Sequence, residues 1–98
     1  MPKGYWLARL DITDREVFAE YRNRNAAPIA AFGGRFIVKG GTAETKLGPA
    51  AAENVLIEFD SYAQALACFE SSEYQAAAEY LKRSARIVEF VIVEGIEQ

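Results

Sequence analysis

The 98-residue sequence has no histidine and a single cysteine, Cys68. Without histidine, imidazole general-base catalysis is excluded. A zinc site would have to be built from sulfur and oxygen ligands where one thiol exists, so no metal is expected. One cysteine also rules out a disulfide framework within the monomer and fits a reducing, cytoplasmic setting. Long apolar runs are missing as well. Met1 to Trp6 lacks the apolar stretch of a signal peptide, and a run such as Phe90 to Val93 is far too short to cross a bilayer. Positive charge is thin: 11 Lys and Arg stand against 14 Asp and Glu, a net charge of −3, with no basic run or helical stripe. A phosphate-backbone binder needs a concentrated positive footprint, so neither nucleic acid nor a membrane is an expected partner.

What is present describes a globular chain. It is 51% hydrophobic and 26% charged, without low-complexity stretches, which predicts one domain over 1–98 with a single core. Tyr5 to Ile12 reads as a strand rich in bulky residues. Thr13-Asp14-Arg15-Glu16 is a capping box with Thr13 as the cap, opening a helix that carries Phe18, Tyr21, Ile29 and Phe32 near one face. Pro28 predicts a kink or break near Asn25 to Ala27, and Gly33-Gly34 a left-handed stop. Arg35 to Lys39 is a second strand, followed by a long loop to Glu53. Asn54 to Phe59 is a third strand. Ser61-Tyr62-Ala63-Gln64 caps a short alanine-rich helix through Phe69, and Ser72-Glu73-Tyr74-Gln75 restarts it at an angle. Arg86 to Glu94 is the last strand.

This order, strand–helix–strand–strand–helix–strand, predicts an α+β fold of split ferredoxin-like βαββαβ build. A four-stranded antiparallel sheet would carry its helices on one face, with the first strand between the third and the fourth. Alternation divides each strand into two sets. Trp6, Ala8, Leu10, Phe36, Val38, Val55, Ile57, Phe59, Val88, Phe90 and Ile92 form an apolar set that must face the helices. The opposite set mixes Leu7, Ile37, Leu56, Ile87, Val91 and Val93 with Tyr5, Arg9, Asp11, Arg35, Lys39, Glu58 and Glu89. Left bare, those aliphatic side chains make a large exposed patch. A second copy of the sheet would cover it, which predicts a homodimer through the sheet face. Arg9, Lys39, Glu58 and Glu89 are then expected to pair with one another, since an unpaired buried charge costs about 3–5 kcal/mol.

Gly4-Tyr5-Trp6, Gly33-Gly34-Arg35-Phe36, Gly40-Gly41, Glu58-Phe59, Ser61, Ser71, Glu73-Tyr74-Gln75 and Val93-Glu94-Gly95 together resemble the bacterial family called "domain of unknown function 1330". The likeness runs from about Tyr5 to Gly95; Arg15 and Ser72 depart from it, standing where the family is expected to carry proline. That family is similar to the dimeric α+β-barrel superfamily, and the resemblance implies two ferredoxin-like sheets facing each other. Relatives in that superfamily include cofactor-free oxygenases, isomerases and haem-degrading proteins. Several of these use histidine, so those mechanisms do not carry over to this chain.

Two groups of side chains could bind a ligand. Arg9, Lys39 and Glu58 could line a pocket for a small organic acid or carbonyl compound, with Arg9 as a bidentate carboxylate anchor; the plainer reading is a salt-bridge network at the dimer face. Tyr21, Tyr74 and Arg83 could stabilise a developing oxyanion near the Pro28 break; more commonly such tyrosines fill a core. The glycine pairs lack the context of a nucleotide loop and read as turns. Cys68, with no cation beside it, reads as a small buried hydrophobe. An RNA-recognition fold of this topology would need base-stacking aromatics on its open sheet face, where the third strand offers only Leu56 and Glu58. The sequence therefore predicts a small-molecule-binding domain without a cofactor, and as the alternative a module whose dimerisation is its main role.

Overall fold

The structure, a computed structural model, describes residues 2–97; Met1 and Gln98, the two ends of the domain expected over 1–98, lie outside it. The chain runs β1 (Gly4–Ile12), α1 (Arg15–Ala31), β2 (Arg35–Lys39), β3 (Glu53–Phe59), α2 (Tyr62–Glu70), α3 (Ser72–Ser84) and β4 (Ala85–Glu94). The strands make one antiparallel sheet in the order β2-β3-β1-β4, so β1 lies between β3 and β4 as the order of elements predicts. This is the ferredoxin-like α+β arrangement.

Helix boundaries follow local chemistry, with three shifts from the sequence reading. Asp14, not Thr13, caps α1: its carboxylate accepts from the amide of Val17 at 3.1 Å. Thr13 is held instead by its own amide, which donates to the carbonyl of Ser84 at 2.7 Å and ties the start of α1 to the end of α3. Pro28 does not break α1, which continues to Ala31. A proline ring already has a helical φ and removes a single donor; here it lies one turn from the helix end, buried with Ile29, so packing outweighs the lost bond. Gly33, at φ +81°, then closes the helix: its amide donates to Ala30 at 2.9 Å and that of Gly34 to Ile29 at 2.8 Å. This paired bonding is the Schellman end that the two glycines predict. Ser71, not Ser72, separates α2 from α3. Its hydroxyl donates to the carbonyl of Cys68 at 2.7 Å and accepts from the amide of Tyr74 at 3.2 Å, serving two helix ends at once.

Between sheet and helices the core is largely aromatic. Trp6 is 1% exposed and packs against Phe59, Phe69, Tyr74 and Phe90, with ring centroids 4.8–6.0 Å apart. Its indole Nε1–H donates to the carbonyl of Ala65 at 2.9 Å, so the largest buried side chain leaves no donor unpaired.

Two register shifts change the division of faces. In β2, Phe36 stands opposite Ile57 but Val38 stands opposite Leu56, with Ile37 as the extra residue. A bulge of this kind sends the following side chains to the other face. Val38 therefore joins Leu7, Leu56 and Val91 on the open face, and Lys39, opposite Val55, turns toward the helices. In β4 the shift falls past Val88, which sets Ile87 opposite Leu10 and beside Leu81 and Phe90 on the helix side. Period-two alternation placed Lys39 and Ile87 on the open face and Val38 on the other; the bulges reverse all three.

Candidate ligand cleft and the open sheet face

On the open face, Arg9 lies near the middle of the sheet and bonds to three neighbouring segments of the chain. Nε donates to Asn54 Oδ1 at 3.0 Å, Nη2 to the carbonyl of Pro49 at 2.8 Å and Nη1 to Glu89 Oε1 at 3.4 Å. Asp11, two residues on, accepts from the amide of Ala52 at 2.8 Å and pairs with Arg86. Arg9 and Asp11 thus anchor the returning end of the β2–β3 loop to the sheet. Glu58 stands four rungs away on the same ladder, opposite Tyr5. It pairs with Arg35 at 2.9 Å and accepts from the Tyr5 hydroxyl at 3.1 Å, and these two donors hold its carboxyl below the usual carboxylate range. The pair expected between Arg9 and Glu89 forms. Lys39 and Glu58 do not meet, because the β2 bulge puts them on opposite faces, so Arg9, Lys39 and Glu58 do not make one pocket. Arg35 takes the place beside Glu58, and Asn54 joins Glu89 beside Arg9.

On the helix side, Tyr21 of α1 and Tyr74 of α3 meet hydroxyl to hydroxyl at 2.8 Å, buried at 8% and 0% exposure. Asn25, one turn along α1, lines the same cleft as Tyr21. Arg83 is not with them. Its guanidinium lies over the ring of Tyr80, 4.9 Å from the centroid, on the outer side of α3. Beside the tyrosine pair, a cleft of about 70 Å³ opens between α1 and the β2–β3 side of the sheet. Its walls are apolar, among them Trp6, Phe18, Phe36, Val55 and Ile57, and Tyr21, Asn25, Arg22, Lys39 and Glu53 supply its polar groups. A second, more open groove of about 320 Å³ crosses the open face next to Arg9.

The cleft brings together Tyr21 and Lys39, which the sequence reading put in separate groups, and adds Arg22, Asn25 and Glu53. Asn25 was legible at the helical i+4 spacing from Tyr21. Lys39 was not, since its placement depends on the bulge, and Glu53 was read as the end of the loop, although β3 begins with it and alternation sets it on the side of Val55 and Ile57. Among the described residues, no group of three His, Cys, Asp or Glu side chains is placed to hold a metal ion, and no helix is long and apolar enough to cross a membrane.

Burial governs the titration of the interior. It pushes the Cys68 thiol up to about 11 and the phenols of Tyr21 and Tyr74 above their ordinary value. In the unfolded chain these groups ionise near pH 8.5 and 10. Their contribution is full at neutral pH, where both states keep the proton, and falls as pH rises from about 8.5, because the unfolded chain then releases protons that the native chain holds. Urea midpoints should therefore decline steadily between pH 8 and 11, and Cys68→Ala should remove the earliest part of the decline. A flat profile would contradict this burial.

The family described as Domain of unknown function (DUF1330) matches residues 3–96. The chain belongs to that family. No curated protein matches it. Among solved structures, this DUF1330 chain is similar to a protein of unknown function from Rhodopseudomonas palustris, at TM-score 0.75 and 13% identity over 99% of this chain and 85% of that one. It is similar to SnoaB, a cofactor-independent oxygenase from Streptomyces nogalater, at TM-score 0.65 and 13% identity over 100% and 97%. A dimeric ferredoxin-like protein of unknown function from Thermobifida fusca superposes at TM-score 0.51 and 12% identity over 97% and 92%. At these identities the likeness is one of fold.

Proposed function

We propose that this DUF1330 chain binds a small organic acid or carbonyl compound in the cleft between α1 and the sheet, as a cytoplasmic homodimer paired through the open face. One observation carries the reading: an apolar, partly enclosed cleft lined by Tyr21, whose buried hydroxyl is held by Tyr74. Ligand sites are typically apolar hollows with a few oriented polar groups. SnoaB, of the same fold, is a cofactor-independent oxygenase, which supports a site made from side chains alone. The alternative, a module whose pairing is its whole role, has no observation in its favour over this one.

Support for pairing comes from the open face. Leu7, Ile37, Val38, Val91 and Val93 remain 39–54% exposed there, around the groove that Arg9 borders. A contiguous patch of this kind marks an association surface, and the Thermobifida fusca protein of this fold is dimeric.

Trp6 is the single tryptophan and lines the cleft, so its indole signal reports occupancy. Titration with short carboxylates and ketones should shift that signal, and sedimentation velocity at micromolar concentration should give a dimer. Val91→Glu, on the exposed face, should sediment as a monomer that still unfolds cooperatively, with a melting temperature no longer dependent on protein concentration. An indole signal that no compound moves would end the ligand reading, and a monomeric wild type would end the pairing.

A further inference from the structure

Which small molecule fits follows from the charges at the mouth of the cleft. Arg22 comes from α1 and Lys39 from β2, so the two cations stand on opposite lips. Each is stowed on an aromatic face: the Arg22 guanidinium lies 5.1 Å from the Phe18 ring centroid and Lys39 Nζ 4.6 Å from that of Phe36. Among the described residues neither is in an ion pair, although Arg24, Arg35, Lys46, Lys82 and Arg86 all are. Glu53 also lines the cleft and is in no ion pair among those residues. Two positive charges against one negative leave a single positive charge, the complement of a monoacid rather than a diacid.

The floor sets the other requirement. The Tyr74 hydroxyl, fully buried, has Tyr21 as its hydrogen-bond partner. Either hydroxyl can be the donor in that bond; when Tyr74 donates, the Tyr21 oxygen accepts and its own proton is left to give to a ligand. Burial keeps that phenol protonated at neutral pH. About 70 Å³ of partly enclosed space has room for a few waters, and so for a short apolar body.

From this we infer that the cleft takes an oxo or hydroxy monoacid: a short apolar body whose far oxygen accepts from Tyr21 and whose carboxylate lies at the mouth between Arg22 and Lys39. The inference rests on the cleft being the ligand site and narrows what that site prefers. The bulge at Ile37 is what makes it possible, because a regular β2 would direct Lys39 away from the cleft. Bulges beside binding sites re-aim side chains in this way.

The test follows the Trp6 indole resonance by NMR while the intact protein is titrated with three probes at low salt. Sodium 4-oxopentanoate has both features, sodium pentanoate has only the acid, and pentan-2-one has only the carbonyl. The oxo acid should bind at least tenfold more tightly than either of the others. Lys39→Met and Arg22→Met, both exposed positions, should each raise its Kd about tenfold and leave the Kd of pentan-2-one unchanged. If the ketone binds as tightly as the oxo acid, or if both variants bind the acid like the wild type, the preference for an acid is overturned while the cleft stays a ligand site. If no probe moves the resonance, the inference falls together with the proposed function.

Discussion

Trp6→Ala is expected to destabilise the fold by about 3–5 kcal/mol, the range for removing a large buried aromatic side chain. For a domain of this size the total is about 5–15 kcal/mol, so this one change removes a large share of it. Trp6 sits at the hub where β1 meets α2, α3 and β4, touching Phe59, Phe69, Tyr74 and Phe90. The loss has two parts: a cavity among rings with little room to collapse, and the indole hydrogen bond to the carbonyl of Ala65. Trp6→Phe separates them, since it keeps an aromatic ring and removes the indole donor, and should fall well short of the alanine variant. Urea unfolding followed by circular dichroism measures both, because the fluorophore is gone. A loss under about 1 kcal/mol for Trp6→Ala would show that the cluster repacks freely.

Gly4→Ala is the second large effect, and it arises from crowding rather than emptiness. A Cβ at Gly4 would lie 2.5 Å from the carbonyl oxygen of Ser61, 2.6 Å from Cα of Tyr62 and 2.8 Å from the carbonyl carbon of Ser61. All three are backbone atoms at the start of α2, where Ser61 caps the helix by accepting from the amide of Gln64 at 3.1 Å. The helix start cannot move without breaking its cap, so the cost should lie at or above the top of the usual overpacking range of about 1–3 kcal/mol. Gly41→Ala, with open space around it, should stay within about 0.5 kcal/mol. Equal melting temperatures for the two variants would mean that β1 and α2 are not clamped at this point.

The sequence carried the topology because alternation and caps are local signals. Strand order, the central place of β1, the glycine end of α1 and the Ser61 cap could all be read from neighbours in the chain. Cap positions slipped by one residue, at Thr13 where its amide is claimed by distant Ser84, and at Ser71 where its hydroxyl bonds Cys68 within one turn. The site was less legible. Tyr21 and Tyr74 could be named, but Arg83 could not be told from any other cation on α3, and it stacks on Tyr80 outside the cleft. Lys39 was assigned to the wrong face because a bulge leaves no mark in a run such as Arg35-Phe36-Ile37-Val38-Lys39, where every residue suits a strand.

The extra residue in β2 makes the two sides of the sheet depend on a count as well as on chemistry. Val38 and Lys39 trade places whenever that strand gains or loses one residue, with no substitution at either position. An insertion or deletion there would alter the greasy patch and the charged lip in a single step. Among DUF1330 sequences, the length of this short segment is therefore as informative about the cleft as the identity of the residues in it.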